Sequence, residues 1–471
     1  MGILGLVAPV ILLVFIYTKF SVHRFDPVAL FCYLFAFFYL FRDAIVSFGL
    51  DTPYPSYLFL PSQTPHLLLM SSFVLSAFLI SFVVGYTINR PMGAMFAPLV
   101  PVAWRVPPLR RQVRLTVLLT AVATFISIGL FLRFGGFARV IAAAKLEREL
   151  TGSNVLRIVP ALGGVVATAL ILALYQERRR TKKWRKGLLL VAVSAAVLNA
   201  AYFMMWGSRQ VGAAVILILG AGLWVFRRDP STPRSRSARP SWMRVILLGG
   251  VILMVVFGLR VLRDTLLWGG LLQPVQGSAI HEVSVASDSY FDPTLLALRD
   301  WPAVYPYRHG RDFLVGLEGI VPRPLWPSKP EEASTGQWFR QVYQPWTVNG
   351  WPLGAVGDWY LNFGFIGIVL GGILAGVLYS VLMSAWRRAP SSPFTFASVM
   401  AVILFAIPLG FEARTPLRWV QWAVPLWLAG RYLGGRTPKR MQTLAGPDVA
   451  HPWTRSSAPS GSRAALGAGV R

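Results

Sequence analysis

The chain is 471 residues long, 55% hydrophobic and 14% charged, against about 25% charged in an ordinary soluble protein, a composition that excludes a soluble multidomain enzyme. Its 46 Lys and Arg outnumber 19 Asp and Glu to give a net charge of +27, which by itself suits a nucleic acid or an anionic surface. The two are separated by placement: a nucleic-acid binder gathers basic residues on one folded face, whereas a membrane protein distributes them among loops on one side of a bilayer.

A helix needs roughly 20 mostly apolar residues to cross the hydrocarbon core, and eleven stretches of the sequence satisfy that demand. In chain order they fall near 2–18, 28–48, 66–88, 115–132, 156–175, 187–206, 211–226, 245–262, 355–385, 394–410 and 417–433. The first has no basic residue before it and no small-residue cleavage signature after it, so it reads as a retained helix. The second contains Cys32, the one cysteine, which rules out an intrachain disulfide framework.

The connecting segments alternate in charge as the positive-inside rule requires. Taking 19–27 as inner, the inner segments together hold 29 basic residues, the outer segments with Arg418 hold 14, and Arg42, Arg157 and Arg260 fall within the spans. An outer N-terminus and an inner C-terminus follow. The net charge is then +25 on the inner side and zero on the outer, so most of the excess records topology and nucleic acid is not an expected partner. The inner block Arg178, Arg179, Arg180, Lys182, Lys183, Arg185 and Lys186 is read as part of that record. Segment 229–241 reads as an irregular loop, and the Gly-, Ser-, Ala- and Pro-rich tail from Gly434 as disordered.

The expectation is an all-α, polytopic integral membrane protein in four parts: helices one to eight over 1–262, a large extracytoplasmic loop over 263–352, helices nine to eleven over 353–433, and a cytoplasmic tail over 434–471. The loop is too long for a connector. It is rich in aromatics, among them Tyr290, Trp301, Tyr305, Tyr307, Trp326, Trp338, Tyr343, Trp346 and Trp351. Two readings stay open for these rings: a sugar-stacking surface, or a small cap that packs its own aromatics at the membrane interface.

Motifs for several chemistries are missing. The sequence has no Gly-x-x-x-x-Gly-Lys-Ser/Thr loop, no His-Glu-x-x-His, no Cys-x-x-Cys and no Asp-x-Asp, and its five histidines lack metal-ligand spacing. No metal or cofactor is expected. Charges instead sit at the outer ends of spans: Arg42 and Asp43, Arg133, Arg209, Arg260 and Arg263, Glu412 and Arg414. Charge at membrane depth is costly unless paired, snorkelling or functional, and guanidinium groups bind phosphate oxygens bidentately without ever deprotonating. In the large loop the densest polar stretch is Arg308-His309-Gly310-Arg311-Asp312, followed by Glu318, Arg323 and Lys329. A carboxylate among arginines can serve as a general base beside a bound phosphate, or belong to a structural ion-pair network.

Four ordered blocks resemble a known family. They are Gly135-Gly136 with Arg148 and Gly152; Gly207-Ser208-Arg209; Val321-Pro322-Arg323-Pro324-Leu325-Trp326-Pro327-Ser328-Lys329-Pro330; and the segment from Gly354 through Gly357-Asp358-Trp359 to Gly364 and Gly367. Over 135–367 the chain resembles bacterial oligosaccharide repeat-unit polymerases, the Wzy-like O-antigen polymerases. Asp358 departs from the pattern, standing where the family more often has Glu.

The resemblance implies a GT-C-like membrane glycosyltransferase at the outer face of the bacterial cytoplasmic membrane. Its substrates would be glycans linked to undecaprenyl pyrophosphate, and its protein partners a chain-length regulator and a flippase. The candidate catalytic carboxylates are Asp312, Glu318 and Asp358, and the candidate substrate-binding cations are Arg209, Arg308, Arg311, Arg323, Lys329 and Arg414. A ligase acting on the same lipid, or a transporter of lipid-linked glycans, is the alternative.

Overall fold

A computed structural model describes residues 2–22, 25–88, 107–136, 139–140, 154–204, 210–227, 289–321, 325–329, 334–347, 350–389 and 391–434. Among these the regular structure is entirely helical. Each of the eleven apolar stretches is occupied by a helix except 245–262, which lies outside the described residues, as do loop segment 263–288 and the tail beyond Gly434.

The first group of helices is α1 (Gly2–Phe20), α2 (Pro27–Ser47) and α3 (Thr64–Ile88). Asp26 starts α2 by accepting the Ala29 N–H at 2.8 Å, with Pro27 in the first turn where its missing N–H costs nothing. A one-turn π segment, Ala36–Leu40, interrupts α2, a device that often marks functional regions. Next come α4 (Leu109–Phe134), α5 (Asn154–Thr181), α6 (Lys186–Met204) and α7 (Gln210–Val225). Three short helices, α8 (Phe291–Asp300), α9 (Arg311–Glu318) and α10 (Thr335–Tyr343), form a cap layer. The chain then continues through α11 (Gly354–Arg388), α12 (Pro393–Phe405) and α13 (Thr415–Gly434). Among the described residues six helices are long and apolar enough to cross a membrane: α2 to α6 and α11.

Packing is tightest between α3 and α11. A Cβ on Gly85 would overlap the Ile373 carbonyl, and one on Gly372 or Gly376 would collide with the carbonyls of Phe78 or Phe82. Side-chain-free approach of this kind replaces the hydrophobic force that lipid removes. α5 is the hub of a second group, touching α4, α6, α7, α12 and α13. On the shared face of α4 and α6, Asn199 donates to the Thr120 hydroxyl at 2.8 Å.

Two departures from the expected spans matter for function. α11 is not continuous: Gly364 has φ 61° and ψ −143°, conformations open only to glycine. In a straight helix Trp359 and Gly367 would stand about 12 Å apart. Here the Trp359 carbonyl contacts Gly367 and its indole lies on Gly371, so the chain folds sharply at the break. α12, expected to reach residue 410, ends at Phe405, and 406–414 is irregular but mostly buried.

The cap layer is built on its own aromatics. Trp301 packs on Tyr305 at 4.8 Å and on Phe339 at 5.5 Å between ring centroids, and Tyr343 lies 6.0 Å from Trp351. Of the two readings of the loop aromatics, internal packing therefore holds for this cluster. Trp346 alone among the named tryptophans is largely exposed, at 78%.

Candidate functional site

Interrupting a helix leaves its last carbonyls without partners, and the break at Gly364 orphans those of Leu361 and Asn362. The loop before α9 satisfies them. Arg308 N–H donates to the Leu361 carbonyl at 3.1 Å, His309 N–H to the Asn362 carbonyl at 3.0 Å, and Gly310 N–H to the Asn362 side-chain oxygen at 3.1 Å. To make this turn His309 and Gly310 both take positive φ, 50° and 85°. Tyr307 fills the space beside the Gly364 α-carbon, 2.7 Å from where a Cβ would stand.

This docking brings Asp312 over the half-helix. Its Oδ2 accepts from Arg308 Nε at 2.8 Å and from Asn362 Nδ2 at 3.0 Å, while the Arg308 guanidinium lies 3.7 Å from the Trp338 ring centre. Asp312 is buried and doubly held, which identifies it as the clasp between α9 and α11. Asn362 also donates to the Asp358 carbonyl at 2.8 Å.

Asp358 lies one turn earlier on the same segment and is buried. Its Oδ2 accepts the Ala413 N–H at 3.0 Å, tying the half-helix to the irregular segment 406–414. Three further bonds hold that segment: Trp359 Nε1 donates to the Phe411 carbonyl at 2.6 Å, Tyr379 donates to Pro408 at 2.9 Å, and Glu412 N–H donates to the Thr415 hydroxyl at 2.8 Å. Gly316 of α9 sits directly against the Ala413 carbonyl, where any side chain would overlap it. Non-helical backbone at membrane depth survives only where protein encloses it or it lines a cavity. Here two such interruptions meet.

The junction concentrates charge. Glu412 is buried; its Oε2 pairs with Arg418, and its Oε1 is buried with no hydrogen-bond partner among the described residues. Glu412, Asp312 and Arg418 are the charges that bear on Asp358. Arg414 opens to the surface at the edge of this group. Protein crowded around its guanidinium, with Arg418 beside it, pulls its pKa down to about 10 against the opposing pull of Asp358 and Glu412. It remains a cation at neutral pH.

Of the candidates chosen from sequence, Asp312, Arg308, Asp358 and Arg414 thus meet at one junction. Glu318 does not join them: it ends α9 on a different face from Asp312 and is half-buried. Arg311 is exposed at the first position of α9. Lys329 donates to the Val321 carbonyl at 3.2 Å. Arg209 and Arg323 lie outside the described residues, as do Arg148, Gly152 and Pro330. Glu412 and Arg418 were missed as site residues. Glu412 was visible as a charge beyond the tenth span, whereas Arg418 sits inside an apolar run where it reads as a snorkelling side chain.

Arg42, nominated with the outer-end charges, is elsewhere and fully engaged. Its Nε pairs with Asp292 at 2.9 Å, its Nη1 with Asp51 at 2.6 Å, and its Nη2 donates to the Thr52 carbonyl at 2.7 Å. Burial pushes the Asp292 carboxyl up, and Arg42 draws it back down. Among the described residues no group of three or more His, Cys, Asp or Glu is arranged to hold a metal ion.

Comparison of the chain with family models, curated proteins and solved structures finds no match.

Proposed function

We propose that the chain is a membrane glycosyltransferase with eleven spans, an outer N-terminus and an inner C-terminus, which polymerises lipid-linked oligosaccharide repeats at the outer face of the bacterial cytoplasmic membrane. The observation that carries this reading is the meeting of two broken helical segments around buried Asp358 and Glu412, bordered by Arg414 and Arg418. Irregular backbone and unbalanced charge are expensive in a membrane interior and are retained where they act.

In this reading the acceptor hydroxyl attacks the anomeric carbon of the donor, the bond from that carbon to the pyrophosphate oxygen breaks, and the electron pair leaves with the pyrophosphate. Asp358 receives the hydroxyl proton. Of the three carboxylates nominated it is the one that is both buried and, among the described residues, without a direct arginine pair, because Asp312 is claimed by Arg308 and Asn362. Arg414, open to the surface, stabilises the pyrophosphate as it gains charge. Energy comes from the activated lipid-linked donor, so neither nucleotide nor metal is required. Undecaprenyl-pyrophosphate glycans are the substrates, and a chain-length regulator and a flippase are the expected protein partners.

The test is reconstitution in liposomes with a lipid-linked repeat unit, scored by product length. A ladder of products that disappears in Asp358→Asn at equal protein supports the reading; a wild-type protein that makes no glycosidic bond under any acceptor overturns it. The break at Gly364 favours one competitor, a transporter, because discontinuous helices are a hallmark of that class. Movement of the lipid-linked glycan across the bilayer without bond formation would select it.

A further inference from the structure

We propose that α9 lies in the membrane surface beside the carboxylate junction, with Leu314 and Leu317 inserted among the lipid acyl chains. The proposal goes beyond glycosyl transfer and requires only that the long apolar helices cross a bilayer. On α9 the buried positions Asp312 and Gly316 face the junction, the first through Asn362 and the second against the Ala413 carbonyl. Successive residues turn by about 100°, which puts Leu314 and Leu317 on the other side of the helix, where they are 60% and 50% exposed. Val321 continues that exposed side past the helix end, and Arg311 stands at its edge. One face docked on protein, the other apolar and flanked by arginine, is the pattern of a helix lying in a bilayer interface.

What covers this face follows from its depth. α9 bridges two membrane helices, α11 and α13. At its start the Phe363 ring lies 3.0 Å from where a Cβ on Gly310 would stand, and at its end Leu417 lies 3.1 Å from the same point on Gly319. Both contacts fall at the start of a spanning segment. Residues 365–388 rise about 36 Å and α13 about 30 Å, each enough for a hydrocarbon core about 30 Å thick, so Phe365 and Leu417 stand close to its boundary. It is the same boundary for both, because α12 returns the chain between them. A segment about 14 Å long that joins these two points runs along the membrane surface. Toward the membrane interior, exposed apolar rows continue on both neighbours, with Ile366 and Leu370 on α11 and Val420 and Val424 on α13. Leu314 and Leu317 therefore close the upper edge of one lipid-facing surface. At this level the Arg311 stem can lie on the apolar side while its guanidinium reaches the lipid phosphates. The helix that carries the Asp312 clasp is thus seated on lipid.

The experiment uses the full chain carrying Cys32→Ala, in phosphatidylcholine liposomes, spin-labelled in turn through Leu314→Cys, Leu317→Cys and Arg311→Cys. Oxygen concentrates in hydrocarbon and a nickel chelate in water, so their relative collision rates give depth once phosphatidylcholines labelled along the acyl chain supply the scale. Positions 314 and 317 should favour oxygen and read about 5–10 Å below the lipid phosphates, with position 311 shallower. Nickel favoured at both leucine positions puts the face in water and overturns the proposal. Exclusion of both reagents there overturns it as well, because it marks a protein cover, whether a second copy, a partner or another segment of this chain. Should the labelled variants fold poorly, the unaltered chain gives a second measurement with a diazirine phosphatidylcholine. The peptide holding Leu314 and Leu317 should be photolabelled; if it stays unlabelled while the peptide holding Val424 reacts, the proposal fails. The glycosyl-transfer reading survives either result, since it makes no claim about what α9 rests on.

Discussion

Two buried arginine–carboxylate centres are built from the same chemistry to opposite ends. Around Arg42, Nε, Nη1 and Nη2 are all engaged with Asp292, Asp51 and the Thr52 carbonyl, and Asp292 also accepts the Tyr54 N–H at 3.2 Å. Around Asp358 the accounting stays open: Glu412 has an oxygen without a partner among the described residues, Arg414 faces outward, and the backbone beneath is irregular. A closed centre fixes geometry, tying the end of α2 to the 51–54 turn and to α8. An open one retains capacity to bind something else. Burial and charge alone do not separate the two; completeness of hydrogen bonding does.

The comparison can be broken most severely at the closed centre. Arg42→Ala leaves buried Asp292 without its counter-ion, a loss of about 3–5 kcal/mol, frees partly exposed Asp51 from Nη1, and should abolish the monodisperse peak in detergent size-exclusion chromatography. If this variant behaves as wild type, the centre is not structural. At the open centre Asp358→Asn should reduce polymer formation by about 10²–10⁴-fold, the span of general-base contributions, while the thermal midpoint in detergent stays near wild type. A parallel drop in midpoint would make Asp358 a second clasp.

Intermediate effects are expected where the open centre is positioned. Gly364→Ala forces a side chain into a left-handed conformation against Tyr307 and should destabilise by about 1–3 kcal/mol; Tyr307→Ala in the same chain should restore part of the loss by removing the obstruction, which thermal unfolding can read. Smallest of all, Arg414→Lys keeps the charge but removes the bidentate fork. On the proposed function it should raise the KM for lipid-linked donor by roughly 1 kcal/mol's worth with stability unchanged, and an unaltered KM would remove Arg414 from the proposed pyrophosphate site.

Much of the helical architecture was legible because it follows from period-free apolar length, which is additive over many residues. Ten of the eleven stretches coincide with helices of the described chain. The interruption at Gly364 was not legible: Phe363-Gly364-Phe365 sits in an apolar run whose hydropathy is the same bent or straight, and only the Tyr307 loop makes the bend. The early end of α12 was hidden likewise, since Pro408 and Gly410 signal a stop only when a partner such as Tyr379 donates to the exposed carbonyls. Asp312 and Asp358 were chosen as chemistry-bearing residues, but spacing in sequence could not say that one is clasped and the other open. That distinction arises from Arg308 and Asn362, brought together across a fold.

The bend in α11 has a mechanical consequence. Residues 365–388 are locked to α3 through Gly85, Gly372 and Gly376 and must tilt with it when bilayer thickness changes. Residues 354–363 take their orientation from the cap layer and the 406–414 segment through Asp312, Asn362 and Ala413. The two halves meet again beyond the glycine, because Trp359 lies on Gly367 and Gly371 and Tyr379 donates to Pro408 of the 406–414 segment. Asp358 thereby feels any tilt of residues 365–388 through both contacts, so the spacing of the carboxylate junction should respond to lipid thickness.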